Sequence, residues 1–394
     1  MHWLFSVATA LGNGQSTHAW ISQQAVAALP SGELQALLSD PELEQYWRNG
    51  TMFPDGGYPL GDDYGEIAHW EPFQRAYMGW IQQQFQPPWT DEAQRHIAFW
   101  LGLASHGMAD QTFDAMYFRR AYVYDAESDF SLSFDQAHDV VFIADNGPQP
   151  TPQAWFPAEV LLPLFEDAGH TVSESTLNQG QAYLQVAISW VAGAAENQPE
   201  LVQDYRAHFP WGNAHLNDRS VPGSPPLEAE LVANYWQSLW AELNDSGPPF
   251  PVLGVFPADG SYFVERDHQS IEASLSVVLP KAIDVDLLSE DQLLVLGPEG
   301  QSMPIGVDVF YGDNSHVLNL SPLSDWGEGE HVLQLSGISY IDGSQLDEWE
   351  SRFSTSAAPE PDSPKRGCSS LGAAGAQSWA LLFPLLLRRR EQGS

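Results

Sequence analysis

Hydrophobic residues recur every three to four positions through most of residues 16–244, which is the spacing of helices with one buried face. The clearest run, residues 91–120, has acidic residues near its start and two arginines at its end, charges that suit the two ends of a helix. Residues 175–197 and 225–245 show the same spacing. The N-terminal part of the chain is therefore predicted to be all-α.

The pattern changes at the proline-rich segment DSGPPFP, residues 245–251. Short β-type runs follow, separated by turns that contain Gly, Asp, Asn and Pro. The stretch that opens with VFPADGSYFV and closes with WESRFST resembles the bacterial Ig-like domains found as accessory modules on surface and secreted proteins. We therefore expect a multidomain chain, with a helical domain over residues 13–244 and an all-β Ig-like sandwich over residues 250–357.

Both ends of the chain carry features of export. Residues 1–12 are a short apolar run followed by small residues, a candidate signal peptide for which cleavage after Ala10 or Gly12 fits, although a buried first helix is the alternative. Residues 358–394 contain a linker, then Cys368, an apolar run and three arginines. This order resembles the C-terminal sorting tails of Gram-negative bacteria, so we expect display at the cell surface or secretion; a plain amphipathic segment is the alternative.

The charge balance is strongly acidic, with 52 acidic and 15 basic residues and a formal net charge of −37. Such a surface repels phosphate backbones, so a nucleic-acid partner is not expected. It suits a protein that lives in salt or binds cations. The single cysteine lies in the tail, which excludes an internal disulfide and a thiolate metal site in the helical region.

Five histidines and aspartates of the helical region lie in short motifs with aromatic or small neighbours. STHAW contains His18, FPD contains Asp55, AHW contains His69, and ASHGMAD contains His106 and Asp110. The last two are four residues apart in the predicted helix 91–120, so they share one face. Imidazole and carboxylate groups are common zinc ligands. Taken singly, each histidine could be a core residue, and Asp55 could serve a turn.

The order of these motifs resembles the zinc-dependent phospholipase C family, and more closely the N-terminal catalytic domain of glycosylphosphatidylinositol-specific phospholipase D. In that family a Thr/Ser-His near the mature N-terminus is followed by Pro-Asp, by a His beside an aromatic residue, and by His-x3-Asp in a helix. The resemblance covers about residues 16–145.

The resemblance implies a zinc phospholipase C-like fold and a cluster of two or three zinc ions. Asp55, His69, His106 and Asp110 would surround one ion, and Asp110 would bridge to a second ion held by His18. In the family this second ion also takes the free amine of a mature N-terminal Trp. Here a chain that starts at Leu11 or Asn13 after processing could supply an amine without the Trp.

The third ion is less well defined by the resemblance. Asp114, on the same face as Asp110, can serve as an oxygen ligand, and His138 matches a later family histidine. The carboxylate that the family places four residues after that histidine is replaced by Phe142. It could be substituted by one of the neighbouring aspartates, Asp135, Asp139 or Asp145.

Such a cluster implies a phospholipase C-type hydrolase that cleaves phospholipids at a membrane surface by metal-activated water, with Asp55 as ligand and general base. Trp70, Tyr58 and Phe73 could form the rim of a headgroup pocket or pack in the core. We expect a monomer whose Ig-like module binds a cell-surface ligand.

The first alternative to phospholipase C-type hydrolysis is phospholipase D-type cleavage of glycosylated phosphatidylinositol. A single-strand nuclease is disfavoured by charge, and a surface adhesion protein with a decayed catalytic domain is a further alternative.

Overall fold

The computed structural model describes residues 13–128 and 134–355. Over these residues a helical N-terminal part precedes a C-terminal part of antiparallel sheets, so the predicted order of α and β regions is confirmed. The phospholipase C-like and Ig-like assignments stay predictions. The candidate signal peptide, residues 1–12, and the C-terminal tail, residues 358–394, lie outside the described residues.

The N-terminal part of the described chain is a series of helices joined by short connections. In chain order they are α1 Gln15–Ala28, α2 Glu33–Leu38, α3 Glu44–Met52, α4 Tyr64–His69, α5 Glu71–Gln84, α6 Asp91–Thr112, α7 Arg119–Tyr124, α8 Phe134–Asn146, α9 Ala158–Asp167, α10 Glu174–Asn197, α11 Pro199–His208, α12 Pro210–His215 and α13 Pro225–Leu243. Two short 3₁₀ helices, Phe53–Gly56 and Tyr58–Leu60, join α3 to α4. None of these helices is long and apolar enough to cross a membrane.

Helix α6 is the central helix of the N-terminal part. It begins after Thr90, whose hydroxyl accepts a hydrogen bond from the backbone nitrogen of Ala93 (3.3 Å). Every residue from 96 to 112 is buried, because neighbouring helices cover all sides of this segment. Helix α3 approaches its backbone directly at two glycines: a Cβ on Gly50 or Gly102 would lie 2.1 Å from a carbonyl oxygen of the other helix.

The predicted helix over residues 91–120 continues beyond α6 through a π-helix, Phe113–Phe118, into α7. At the junction the hydroxyl of Thr112 lies 3.0 Å from the carbonyl oxygen of Met108 and 3.1 Å from that of Ala109. A hydroxyl bonded to preceding carbonyls competes with the regular backbone bonds and bends a helix. The wider turn then places Asp114 on a segment that is not α-helical.

The C-terminal part contains seven strands in the described residues. They are β1 Gly254–Phe256, β2 Leu275–Val278, β3 Leu293–Leu296, β4 Ile305–Asp308, β5 Val317–Pro322, β6 Gly329–Leu335 and β7 Trp349–Thr355. All pairings are antiparallel; one sheet has the order β1-β2-β5-β4 and the other the order β3-β6-β7. The two sheets enclose one hydrophobic core, so residues 254–355 form a sandwich.

Strand β2 is buried along its whole length because both of its faces are covered. Leu275 and Val277 belong to the core of the sandwich, which also holds Trp326. Val278, the last residue of β2, and Val317, the first residue of β5, instead belong to the hydrophobic core of the helical region. The four-stranded sheet therefore packs on the helices with its outer face.

Candidate metal centre

Four side chains from three parts of the helical region meet at one buried site. Asp55 comes from the first 3₁₀ helix, His69 is the last residue of α4, and His106 and Asp110 lie one turn apart on α6. One nitrogen or oxygen of each lies within 4.8 Å of one from every other member. The end of α4 reaches α6 at Gly107, where a Cβ would lie 2.1 Å from the carbonyl oxygen of His69.

The distances within this group are those of ligand atoms around a common centre. The Nε2 atom of His69 lies 3.3 Å from Asp55 Oδ1 and 3.4 Å from Asp110 Oδ2. The Nε2 atom of His106 lies 3.5 Å and 3.2 Å from the same two oxygens. The two Nε2 atoms are 2.9 Å apart. All four side chains are shielded from solvent, Asp55 being the most open at 15% exposure.

The other ring nitrogens fix the tautomers of these two histidines. Nδ1 of His69 donates to the carbonyl oxygen of Gly65 at 2.6 Å, and Nδ1 of His106 donates to that of Thr51 at 2.7 Å. Because a carbonyl can only accept, each Nδ1 carries a hydrogen, and in the neutral rings the Nε2 lone pairs face each other. Carbonyl partners of this kind orient the histidines that bind metals in proteins. The group therefore requires a cation or additional protons between its members.

In the metal-free chain protons supply that positive charge. Burial lowers the pKa of His106, but the charges of Asp110 and Asp55 outweigh it and raise the pKa to about 10. Burial and His106 lower the pKa of His69, while hydrogen bonds to Asp110 and Asp55 raise it to about 9. Burial raises the pKa of Asp55, yet the facing histidines outweigh it and hold this pKa below the usual range.

His18 extends the site along the other oxygen of Asp110. Its Nε2 lies 2.9 Å from Asp110 Oδ1, and its ring stacks on His106 with centroids 4.0 Å apart. This Nε2 makes no aligned hydrogen bond, although it is fully buried. Asp110 thus presents Oδ2 to one pair of histidines and Oδ1 to His18, as a carboxylate bridging two cations does.

The start of the described chain reaches the same oxygen. The backbone nitrogen of Asn13 donates to Asp110 Oδ1 at 2.9 Å. The side-chain amide of Asn13 donates to Glu228 Oε2 at 2.9 Å, and Thr112 donates to Glu228 Oε1 at 3.0 Å. Glu228 comes from α13, and no local motif around it in the sequence predicts this role.

Asp139 holds helix α1, and with it His18, in place. Its carboxylate accepts from the backbone nitrogens of Ser16 (3.2 Å) and Thr17 (2.7 Å). A Cβ on Gly14 would lie 2.2 Å from Asp139 Cβ, so only glycine fits there. Asp139 therefore caps α1 in this structure, whereas the sequence suggested it as a substitute metal ligand.

Asp114 is fully buried in the π-helix and contacts the sandwich. Its Oδ2 accepts a hydrogen bond from the hydroxyl of Tyr311, and its Oδ1 has no hydrogen-bond partner. Burial and the charge of Asp110 raise the pKa of Asp114 well above its usual value. Tyr311 lies outside the region from which sequence motifs predicted site residues.

The structure does not bring His138 into the group. Its Nδ1 donates to the carbonyl oxygen of Phe134 at 2.8 Å, and its ring contacts Phe134 and Phe209 with centroids 3.6 and 6.0 Å away. A Cβ on Gly212 would lie 2.8 Å from its Nε2. His138 is thus enclosed by aromatic rings and backbone. Of the other suggested carboxylates, Asp145 pairs with Arg206 at 2.5 Å.

Two aromatic side chains border the site. Tyr58 lies 5.3 Å from His69 between ring centroids, and Trp70 lies 5.8 Å from it. Glu66 links them, accepting from the Tyr58 hydroxyl at 3.0 Å and from Trp70 Nε1 at 2.9 Å. Phe73 is instead buried and stacked on Phe165, so it belongs to the core.

The fold and the site thus define a protein whose helical region, followed by a β-sandwich, contains a buried group of histidines and carboxylates that could bind a metal ion. No family model matches the chain. A stretch of 133 residues is 30% identical to phosphatidylinositol-glycan-specific phospholipase D of Mus musculus, covering 32% of this chain and 16% of that protein. The protein of the same name from Dictyostelium discoideum is 40% identical over 63 residues, which are 16% of this chain and 7% of that protein. The matches therefore span about a sixth or less of these relatives' length.

Solved structures give only low similarity. CopC from Methylosinus trichosporium OB3b has a TM-score of 0.22 and 13% identity, covering 27% of this chain and 91% of that chain. The surface layer protein SbsC, domains 1–6, has a TM-score of 0.22 and 10% identity, covering 86% of this chain and 46% of that chain. Scores of this size do not define a shared fold.

Proposed function

We propose that the chain is a zinc-dependent phosphodiester hydrolase of phospholipase C type that cleaves phospholipids with a metal-activated water. The observation that carries the proposal is the buried pair of facing nitrogens of His69 and His106, enclosed by Asp55 and Asp110. This set of nitrogen and oxygen atoms matches the ligands that zinc takes in proteins. The identity to phosphatidylinositol-glycan-specific phospholipases D supports a phosphodiester substrate.

Asp55, His69, His106 and Asp110 would hold one zinc ion. His18 and the other oxygen of Asp110 would hold a second, and Asp114 stays a candidate ligand for a further ion. Bound zinc lowers the pKa of a water towards about 7 and neutralises charge on phosphoryl oxygens. The metals would supply the positive charge that this acidic chain lacks.

The protein's own contribution begins with Asp55. It is the most open member of the group, and the side-chain amide of Gln15 donates to its Oδ2, which orients the carboxylate. The facing histidines lower its pKa, so it is ionised at neutral pH. An ionised carboxylate beside the metal would be the acceptor of a proton from an attacking water. His69 and His106 keep their Nε2 atoms directed inward because their Nδ1 hydrogens are fixed by carbonyls.

Two modes of cleavage use the same attack of water oxygen on phosphorus. Phospholipase C-type cleavage breaks the bond from phosphorus to the glycerol oxygen, and phospholipase D-type cleavage breaks the bond to the headgroup oxygen. The second mode, on glycosylated phosphatidylinositol, is the alternative favoured by the names of the similar proteins. Export through the C-terminal tail, a monomeric state and a cell-surface ligand of the sandwich stay predictions.

Elemental analysis and product analysis of the purified full chain test the proposal together. We expect at least two zinc ions per chain, and loss of zinc and of turnover in His106→Ala. Asp55→Asn should reduce turnover by about 100-fold or more, since it removes both a ligand charge and the proton acceptor. Diacylglycerol as product indicates the C type, and phosphatidic acid indicates the D type.

His96→Ala is the matched control for these variants. His96 lies on the same helix but bonds to Tyr77 (2.8 Å), away from the group. It should keep its zinc and its turnover. A folded wild-type chain that binds no zinc and cleaves neither phosphatidylcholine nor glycosylated phosphatidylinositol would reject the proposal.

A further inference from the structure

The sandwich contacts the helical region through buried polar groups next to the metal centre. Glu71, two residues after His69, is 1% exposed and lies 3.1 Å from Nε2 of His316 on the sandwich. The backbone nitrogen of Ala282 also donates to Glu71, and Arg75 pairs with it from the helical side. A buried carboxylate with such partners fixes the sandwich relative to α5, because loss of a partner would leave its charge uncompensated.

Two further hydrogen bonds fix the sandwich on α6 and the π-helix. The backbone nitrogen of His316 donates to Gln111 Oε1 at 2.7 Å. The side-chain amide of Asn319 donates to the carbonyl oxygen of Ala115 at 3.0 Å. Gln111 and Ala115 lie on either side of Asp114 in the sequence. The sandwich is thereby held in register with the segment that carries this carboxylate.

Between these contacts the sandwich extends Tyr311 from the connection of β4 to β5. The hydroxyl of Tyr311 donates to Asp114 Oδ2, and its ring contacts Trp70 with centroids 4.8 Å apart. Trp70 is the residue next to His69. Tyr311, nearly 200 positions after Asp114 in the sequence, thus contacts one candidate ligand and the neighbour of another.

The second carboxylate oxygen of Asp114, Oδ1, makes no hydrogen bond. Oδ1 is buried without a hydrogen-bond partner, a costly state for a carboxylate unless it meets a cation or carries a proton. The bond from Tyr311 holds the other oxygen and so fixes the orientation of the group. Outer hydrogen bonds of this kind orient metal ligands and affect metal affinity.

We propose that Tyr311 is a positioning residue of the metal centre, which holds Asp114 so that its free oxygen binds one of the zinc ions. The sandwich is then a structural part of the site and not only an accessory module. This inference rests on the proposed function, since it requires a zinc site for Asp114 to join.

Zinc titration of the full-length Tyr311→Phe variant tests the inference. Phenylalanine keeps the ring against Trp70 and removes only the hydroxyl. We expect one zinc ion to bind about 10- to 100-fold more weakly, with a changed cobalt(II) absorption spectrum for that ion. Asp114→Asn should weaken the same ion, and the double variant should lose little more than Asp114→Asn alone, because both act on one interaction.

Tyr124→Phe is the matched control. It removes a tyrosine-to-carboxylate hydrogen bond between the helical region and the sandwich, to Glu272 at 3.0 Å, in which no candidate ligand takes part. It should bind zinc like the wild type. Unchanged or tighter zinc binding by Tyr311→Phe, or equal weakening in both variants, would overturn the inference while the proposed function stands. A wild type without zinc would overturn both.

Discussion

The Nε2 atoms of His69 and His106 face each other at 2.9 Å, while the Nδ1 of each is committed to a backbone carbonyl. Neither ring can turn away without breaking its hydrogen bond. Two lone pairs at this distance repel, as do the carboxylates beside them, so the site is stable only with positive charge inside it. This relationship determines how the protein responds to chelators and to pH.

Removal of metal should lower thermal stability. A ligand that binds only the folded state raises the free energy of unfolding by about 4 kcal/mol at a concentration roughly 1000 times its dissociation constant, and this applies to bound zinc. We expect a chelator to lower the unfolding midpoint by several degrees and added zinc to restore it, as measured by circular dichroism. His106→Ala should show a much smaller response to both. Equal midpoints for the wild type with and without chelator would contradict the prediction.

Zinc binding should release protons. With the pKa of His69 raised to about 9 and that of His106 to about 10, this pair of rings holds extra positive charge at pH 7 in the metal-free chain. Zinc must displace these protons, so its affinity should rise with pH between 6 and 8. Calorimetry in buffers of different ionisation enthalpy should show at least one proton released at pH 7. Release of none would show that the rings are neutral before binding.

The amine of a chain starting at Asn13 should serve as a further zinc ligand. Its backbone nitrogen already lies 2.9 Å from Asp110 Oδ1, beside His18. A free amine there can bind the ion that these two residues hold, whereas an amide nitrogen cannot. We expect a chain beginning at Asn13 to bind this ion more tightly than a chain extended by one residue, because it offers one more ligand. Zinc titration of both forms, with their starts verified by mass spectrometry, measures the difference; equal affinities would contradict the prediction.

Protonation of the buried His138 should lower the stability of the fold in acid, and substitution of this residue should leave zinc binding unchanged. Burial lowers its pKa to about 4, below the value near 6.5 of an unfolded chain, so the folded form loses stability as pH falls from about 6.5 towards 4. His138→Phe removes this sensitivity. Between pH 7.5 and 5 the wild type should lose about 2 kcal/mol more unfolding free energy than the variant.

Denaturant unfolding at both pH values measures that difference, and a zinc count accompanies it. We expect the same zinc content in His138→Phe and the wild type, since the ring is enclosed by Phe134 and Phe209. A variant that loses one zinc ion would instead support His138 as a ligand, as the sequence motif suggested.

Candidate site residues could be predicted from the sequence where they lie in short motifs or share the face of one helix. His106 and Asp110 share a helix face by their spacing alone, and Asp55 and His69 stand in motifs of their own. The structure brings these four together with His18, while their role as ligands stays a prediction. Helix order and the change to sheets could likewise be predicted, because periodicity is a local property.

The remaining features depend on contacts between distant parts of the chain. Nothing near Tyr311 indicates that its hydroxyl meets Asp114, and nothing near Glu228 indicates Asn13. Asp139 could be recognised as a carboxylate near His138, but its use as a helix cap depends on the position of α1. The π-helix also depends on packing, because helical periodicity does not distinguish it from a regular turn.

The burial of Glu71 against His316 has a consequence for how this chain can be divided. A fragment that ends near residue 244 would keep Glu71 and Arg75 but lose His316, Ala282 and the apolar cover from strand β5. The helices would then expose an acidic and hydrophobic surface beside the candidate metal centre. The helical region and the sandwich should therefore unfold in one transition. Neither should fold stably without the other, so neither can be replaced by an unrelated domain.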